Sequence, residues 1–136
     1  MTEISVPVSP GELIDKITIL EIKSERMSDA AKLANVRREL QVLQRTWAAS
    51  AYAAVDVSAD KDALRAVNER LWQIEDDIRE KERTASFDGE FIRLARAVYF
   101  ENDERAAIKR RINTRLGSAL IEEKSYRDYR AGSPGP

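Results

Sequence analysis

Residues 9–27 read SPGELIDKITILEIKSERM, and this stretch decides the fold class. Ser9, Pro10 and Glu12 form a capping-box signature: a hydroxyl acceptor at the N-cap, proline at the first helical position and glutamate at N3. A helix is therefore expected from about Pro10 to Arg26. Leu13, Ile17, Leu20, Ser24 and Met27 recur at 4-3-4-3 spacing and mark one buried stripe. Ile14, Ile19 and Ile22 fall outside that stripe, so the helix is apolar nearly all round. Such a helix is packed by several neighbours or by another chain. It is expected to lie centrally and to contribute to a homodimer.

Working outward, a second helix is expected from Ser28-Asp29 to about Ala53, with Leu33, Val36, Leu40, Leu43 and Trp47 at 3-4-3-4 spacing. A third opens near Ser58-Ala59-Asp60 and repeats the pattern with Leu64, Val67, Leu71, Ile74 and Ile78. Two matched stripes joined by a short loop read as a coiled-coil-like antiparallel hairpin of helices two and three. Thr84 to Asp88 is a connector, with Asp88 as N-cap of a fourth helix carrying Phe91, Leu94, Val98, Ile108, Ile112 and Leu116 and stopped by Gly117. Where the period calls for apolar residues at 101 and 105 the chain has Glu101 and Arg105. Either Asn102 or Asp103 caps a new helix there, or a charged layer sits in the packed seam. The expectation is one all-α domain over 1–130, an elongated four-helix bundle, with residues 131–136 as a disordered tail.

Composition agrees and excludes much chemistry. Five Gly and four Pro in 136 residues leave little material for the turns of a barrel or sandwich. There is no His and no Cys, so a thiol nucleophile, a disulfide, an imidazole or thiolate metal site and a histidine base are all excluded. The net charge is −1 but unevenly spread: seven basic against nine acidic residues over 1–60, eight against twelve over 61–104, and eight against three over 105–136. A chain so balanced has no general pull on nucleic acid. No apolar run is long enough to span a membrane, the first residues lack a signal-peptide pattern, and a cytoplasmic location is expected.

Several side chains stand out. Asp15, Lys16, Glu21 and Lys23 lie between the apolar sectors of the first helix and read as ion pairs at the bundle edge. On the third helix Asn68, Trp72, Glu75, Arg79 and Glu82 form a second ordered face. A Trp in a polar stripe points to a further contact, with a helix, a second subunit or a ligand. Glu101 and Arg105 have the order that favours an i,i+4 pair, whereas Arg105 with Lys109 offers the alternative of a small-anion site. The run Arg105, Lys109, Arg110, Arg111 and Arg115 scatters around the helix without interleaved aromatics, which argues against nucleic acid. Glu12 with Asp15, and Glu101 with Glu104, have the i,i+3 spacing of carboxylate ligands to magnesium, but Glu12 is already explained as a capping residue. No metal or cofactor is expected.

Three strings resemble a family of small bacterial all-helical proteins of unknown function: SPGELIDKITILEIK at 9–23, NERLWQIEDDIREKE at 68–82, and ARAVYFENDERAAIKRRIN at 95–113 followed by GSALIEEKSY at 117–126. The resemblance covers about residues 4–130. It implies an association with surface-polysaccharide or glycosyltransferase genes and no established activity. Its motifs emphasise Asp15, Lys16, Glu21, Trp72, Glu75, Asp76, Arg79, Asn102, Asp103, Arg105, Lys109, Glu122, Glu123, Lys124 and Tyr126. The expected function is a non-enzymatic helical interaction or adaptor module linked to surface-glycan assembly, with a protein partner or self-association. The alternative is a small helical hydrolase or mutase using carboxylate-bound magnesium or an Arg/Lys anion pocket, which requires at least four carboxylates or three cations converging in one cleft.

Overall fold

A computed structural model describes residues 2–130; the expected tail at 131–136 lies outside them. The described chain forms four helices, α1 (Pro10–Arg26), α2 (Ala30–Ala48), α3 (Ser58–Arg83) and α4 (Gly89–Arg115), and no strand.

Local chemistry sets the boundaries. Ser9 Oγ accepts the Glu12 N–H at 3.2 Å and Pro10 occupies the first turn of α1. The reciprocal half of the capping box is not made, because the Glu12 carboxylate is taken by Lys109 and, at 3.6 Å, by Lys16. Asp29 and Asp88 cap α2 and α4 through the N–H groups of Lys32 and Phe91. Gly117, at φ +67°, follows α4 in the left-handed conformation that ends helices. α2 stops five residues before Ala53: the Ser50 hydroxyl bonds the Trp47 carbonyl at 2.7 Å, and Tyr52 stacks on Trp47, turning the chain.

The expected pairing of helices two and three is corrected. α2 packs along α1 and lies alongside neither α3 nor α4; its stripe, including buried Val36, serves α1, and only Trp47 near its end packs on the core cluster. The hairpin with the most extensive contact is α3 with α4. Its antiparallel register is fixed by Asp60 with Arg111, Arg70 with Glu101 and Lys81 with Asp88. At 1.5 Å per residue α3 is about 39 Å long. α1 lies between α2 on one side and α3/α4 on the other, which is why Leu13, Ile14, Ile17, Leu20 and Ile22 are all buried. Its central position follows directly from an apolar perimeter.

The core sits at one end of the α3/α4 hairpin. Ile14, Val57, Leu64, Val67, Ile108 and Ile112 are buried together, with Trp47, Leu71 and Leu116 packed against them. Each such side chain removed from water contributes about 1.5–3 kcal/mol. The far half of the hairpin is thinner: Leu94 is the one fully buried α4 residue before Ile108, and Phe87, Ile92, Tyr99 and Phe100 stay exposed. After Gly117 an irregular strap runs back along α4, held by Glu122 on Lys109, Lys124 near Asp103 and Tyr129 against Tyr99 and Phe100.

α4 is continuous through Asn102. The Asn102 side chain donates to the Val98 carbonyl at 2.9 Å, one turn back, instead of capping a new helix. The charges at 101 and 105 therefore belong to the packed face.

Candidate functional site

α4 presents a polar row to α1 at four-residue spacing: Arg105, Lys109 and Asn113. α1 answers with Asp15, Glu12 and the backbone of Gly11. At the tight end the Gly11 N–H donates to Asn113 Oδ1 at 2.7 Å. A Cβ at residue 11 would stand 2.5 Å from the Lys109 carbonyl oxygen and 2.8 Å from Asn113 Oδ1, so only glycine permits this approach. In the middle Lys109 lies between Glu12 and Glu122, 2.7 Å from the latter. Burial draws the Lys109 ammonium down, but the bonds from Glu12 and Glu122 outweigh it and the net shift is upward; Glu122 is held below the usual glutamate range by the same contact with Lys109.

At the open end stands Asp15, fully buried. Arg105 grips it with both arms of its guanidinium, Nε donating to Oδ1 at 2.9 Å and Nη2 to Oδ2. That hydrogen bonding, acting against burial, raises the Arg105 pKa above its ordinary value. Asn68 Nδ2 donates to Asp15 Oδ1 at 2.9 Å and to Thr18 Oγ1 at 3.0 Å, and the Thr18 hydroxyl donates to the Asp15 carbonyl at 2.7 Å. A buried carboxylate held by a bidentate cation and an amide donor is a satisfied group with little capacity for a ligand.

The other singled-out charges are dispersed. Lys16 is exposed and pairs with Glu12. Glu21 meets Lys61 at 3.3 Å and Arg65 at 3.9 Å. Glu75 pairs with Arg79 at 3.1 Å, both exposed. The expected Glu101–Arg105 layer forms differently: Glu101 reaches Arg70 on α3, while Arg105 reaches Asp15 on α1. The basic run divides, with Lys109 inside and Arg110, Arg111 and Arg115 outside on Glu123 and Asp60. Among the described residues no three acidic side chains are grouped to hold a metal ion.

Six of the singled-out residues do meet. Trp72, Glu75 and Arg105 line a cleft of about 360 Å³, with Asn68, Asp76 and Asn102 for polar atoms and Ile19, Ile22 and Leu71 for its floor. Arg26, at the end of α1, lies 5.9 Å from the Trp72 ring centroid. A larger hollow of about 610 Å³ lies under the strap between Tyr99, Asp103 and residues 126–130, but there Arg130 is paired with Asp128 and Lys124 with Asp103. Sequence reading missed Gly11, Thr18 and Asn113. Asn113 continues the Arg105–Lys109 row by one turn and Thr18 stands one turn from Asp15, and those spacings are the signals that could have found them.

Fold and site define an all-α protein with an ion network packed between α1 and α4, beside an open cleft with an apolar floor and a polar rim. The chain belongs to the family of unknown function DUF6165, whose model matches residues 4–136. No curated protein and no solved structure matches it significantly. No described helix is long and apolar enough to cross a membrane.

Proposed function

We propose that the protein is a non-enzymatic helical interaction module and that its docking point is the Trp72 cleft. One observation carries this reading: Asp15, Glu21, Glu101 and Arg105 are each held in ion pairs, while the half-buried indole of Trp72 borders an open recess with an apolar floor. Aromatic anchors beside apolar recesses are where docking energy concentrates. The exposed Phe87, Ile92, Tyr99 and Phe100 on the far half of the hairpin add apolar surface of the kind partners cover. The partner at the cleft is a second copy of this chain or, as the family resemblance suggests, a protein of bacterial surface-glycan assembly met in the cytoplasm. The hydrolase or mutase alternative has the weaker support, since neither four carboxylates nor three cations share the cleft.

Site-specific photo-crosslinking tests the reading. A photoreactive residue at position 76, on the cleft rim, is expected to yield a discrete protein adduct in cells, and one at exposed position 62 is not. Equal, diffuse labelling at both positions would remove the cleft as a docking point. A melting-point rise with magnesium, a nucleotide or a sugar nucleotide would favour the enzyme alternative.

A further inference from the structure

α2 is the least integrated element of the molecule, and its charge is unlike that of its neighbours. It carries Lys32, Arg37, Arg38 and Arg45 against the single acid Glu39. Elsewhere cations are widely paired, yet among the described residues none of these four forms an ion pair. The apolar stripe of α2 faces α1, which puts Arg38 and Arg45 on the opposite, exposed side, seven residues and therefore about 10.5 Å apart.

The face of α3 beyond Trp72 is complementary. α1 ends at Arg26 over Trp72, and α2 does not lie along α3, so no helix covers this face further along. Glu75 and Glu82 lie on it seven residues apart, the same two-turn spacing, with Arg79 between them and Asp76 beside them, all exposed. Asp76 and Glu82 have no cation partner among the described residues, and Glu75 holds only the exposed Arg79, a bond that is cheap to exchange. Set antiparallel, Arg45 meets Glu75, Gln41 meets Arg79 and Arg38 meets Glu82.

We infer that the occupant of the Trp72 face is the α2 arm of a second copy of this chain, giving an isologous dimer in which each copy lends α2 and receives it. This rests on the docking reading above and names the partner. A twofold axis repeats the contact, so two modest charge-matched strips act together. Matched charge sets register and rate, while Trp72, three residues before Glu75 and so opposite Ala48 at the end of α2, contributes apolar area.

Sedimentation of the whole chain tests this with two double variants, Arg38→Glu/Arg45→Glu and Glu75→Arg/Glu82→Arg. All four positions are exposed, and each variant is expected to fold, which circular dichroism checks. The natural chain is expected to dimerise at about 50 mM salt, with its dissociation constant rising about tenfold or more by about 500 mM. Each variant alone is expected to be monomeric, because like charges then face each other twice. Mixed together they are expected to associate, since both halves of the contact become complementary again. A natural chain that stays monomeric at low salt, variants that dimerise as it does, or a mixture that fails to associate would each overturn the proposal. If the chain is monomeric but position 76 still cross-links to another protein, the docking reading survives and self-pairing does not.

Discussion

Asp15 and Arg105 are ninety positions apart in the chain and meet as a bidentate pair between α1 and α4, with the carboxylate fully out of water. Asn68 of α3 completes the junction, so one group joins three of the four helices. Its geometry explains why two charges are tolerated in the seam: the carboxylate and amide bonds satisfy what burial would otherwise leave exposed to a low dielectric.

The closest backbone approach gives the first prediction. Gly11→Ala introduces a residue that favours helices by about 0.8–1 kcal/mol, yet its Cβ collides with the Lys109 carbonyl and with Asn113 Oδ1. Overpacking of this kind costs about 1–3 kcal/mol, so urea unfolding is expected to show net destabilisation. A more stable variant would mean that α1 and α4 do not come this close.

Core truncation should depend on place. Leu64→Ala, at the fully buried centre, is expected to cost about 2–5 kcal/mol. Val42→Ala, on the exposed side of α2, is expected to stay within about 0.5 kcal/mol of the natural chain. Equal costs would contradict the placement of α2 at the periphery.

How far these features were legible in the sequence follows from where the information is local. Ser9, Asp29 and Asp88 announce helix starts because a cap is read within three residues. The apolar perimeter of α1 announces its central place. Partner choice was not legible: the stripes of α2 and α3 share one spacing, and a 3-4 repeat fits any other 3-4 repeat. Nor could the state of Asn102 be read, since its amide can cap a helix or bond one turn back. The candidate charges were recognisable as boxed in, but which cation meets which carboxylate is set by helix crossing across up to ninety residues.

Acid should loosen the strap first. Glu122 is held below its ordinary value of 4.5 chiefly by its bond to Lys109, so its contribution is complete above that value and is lost as pH falls through the depressed native one. Lys109 is raised above 10.5, so its share is complete below that value and fades as pH rises through the native one. Limited proteolysis between residues 118 and 130 is expected to be flat through neutral pH and to accelerate below about pH 4.5 while α1–α4 persist by circular dichroism. A strap cut no faster at the lowest pH at which α1–α4 persist than at pH 7 would contradict its anchoring by Glu122.

Dynamics should follow contact. α2, packed along α1 and holding one buried residue, is expected to exchange its amide hydrogens well before α1, α3 and the Ile108–Asn113 segment of α4. Uniform protection across the four helices would place α2 in the core instead.

The most direct measurement is a double-mutant cycle on Asp15→Asn and Arg105→Met, read by urea unfolding. If the pair is structural, each single change is expected to cost about 3–5 kcal/mol by stranding its partner, and the double change clearly less than their sum, with a coupling of about 1.5 kcal/mol or more. Additive losses, or an Asp15→Asn chain as stable as the natural one, would show that these two charges do not hold α1 to α4.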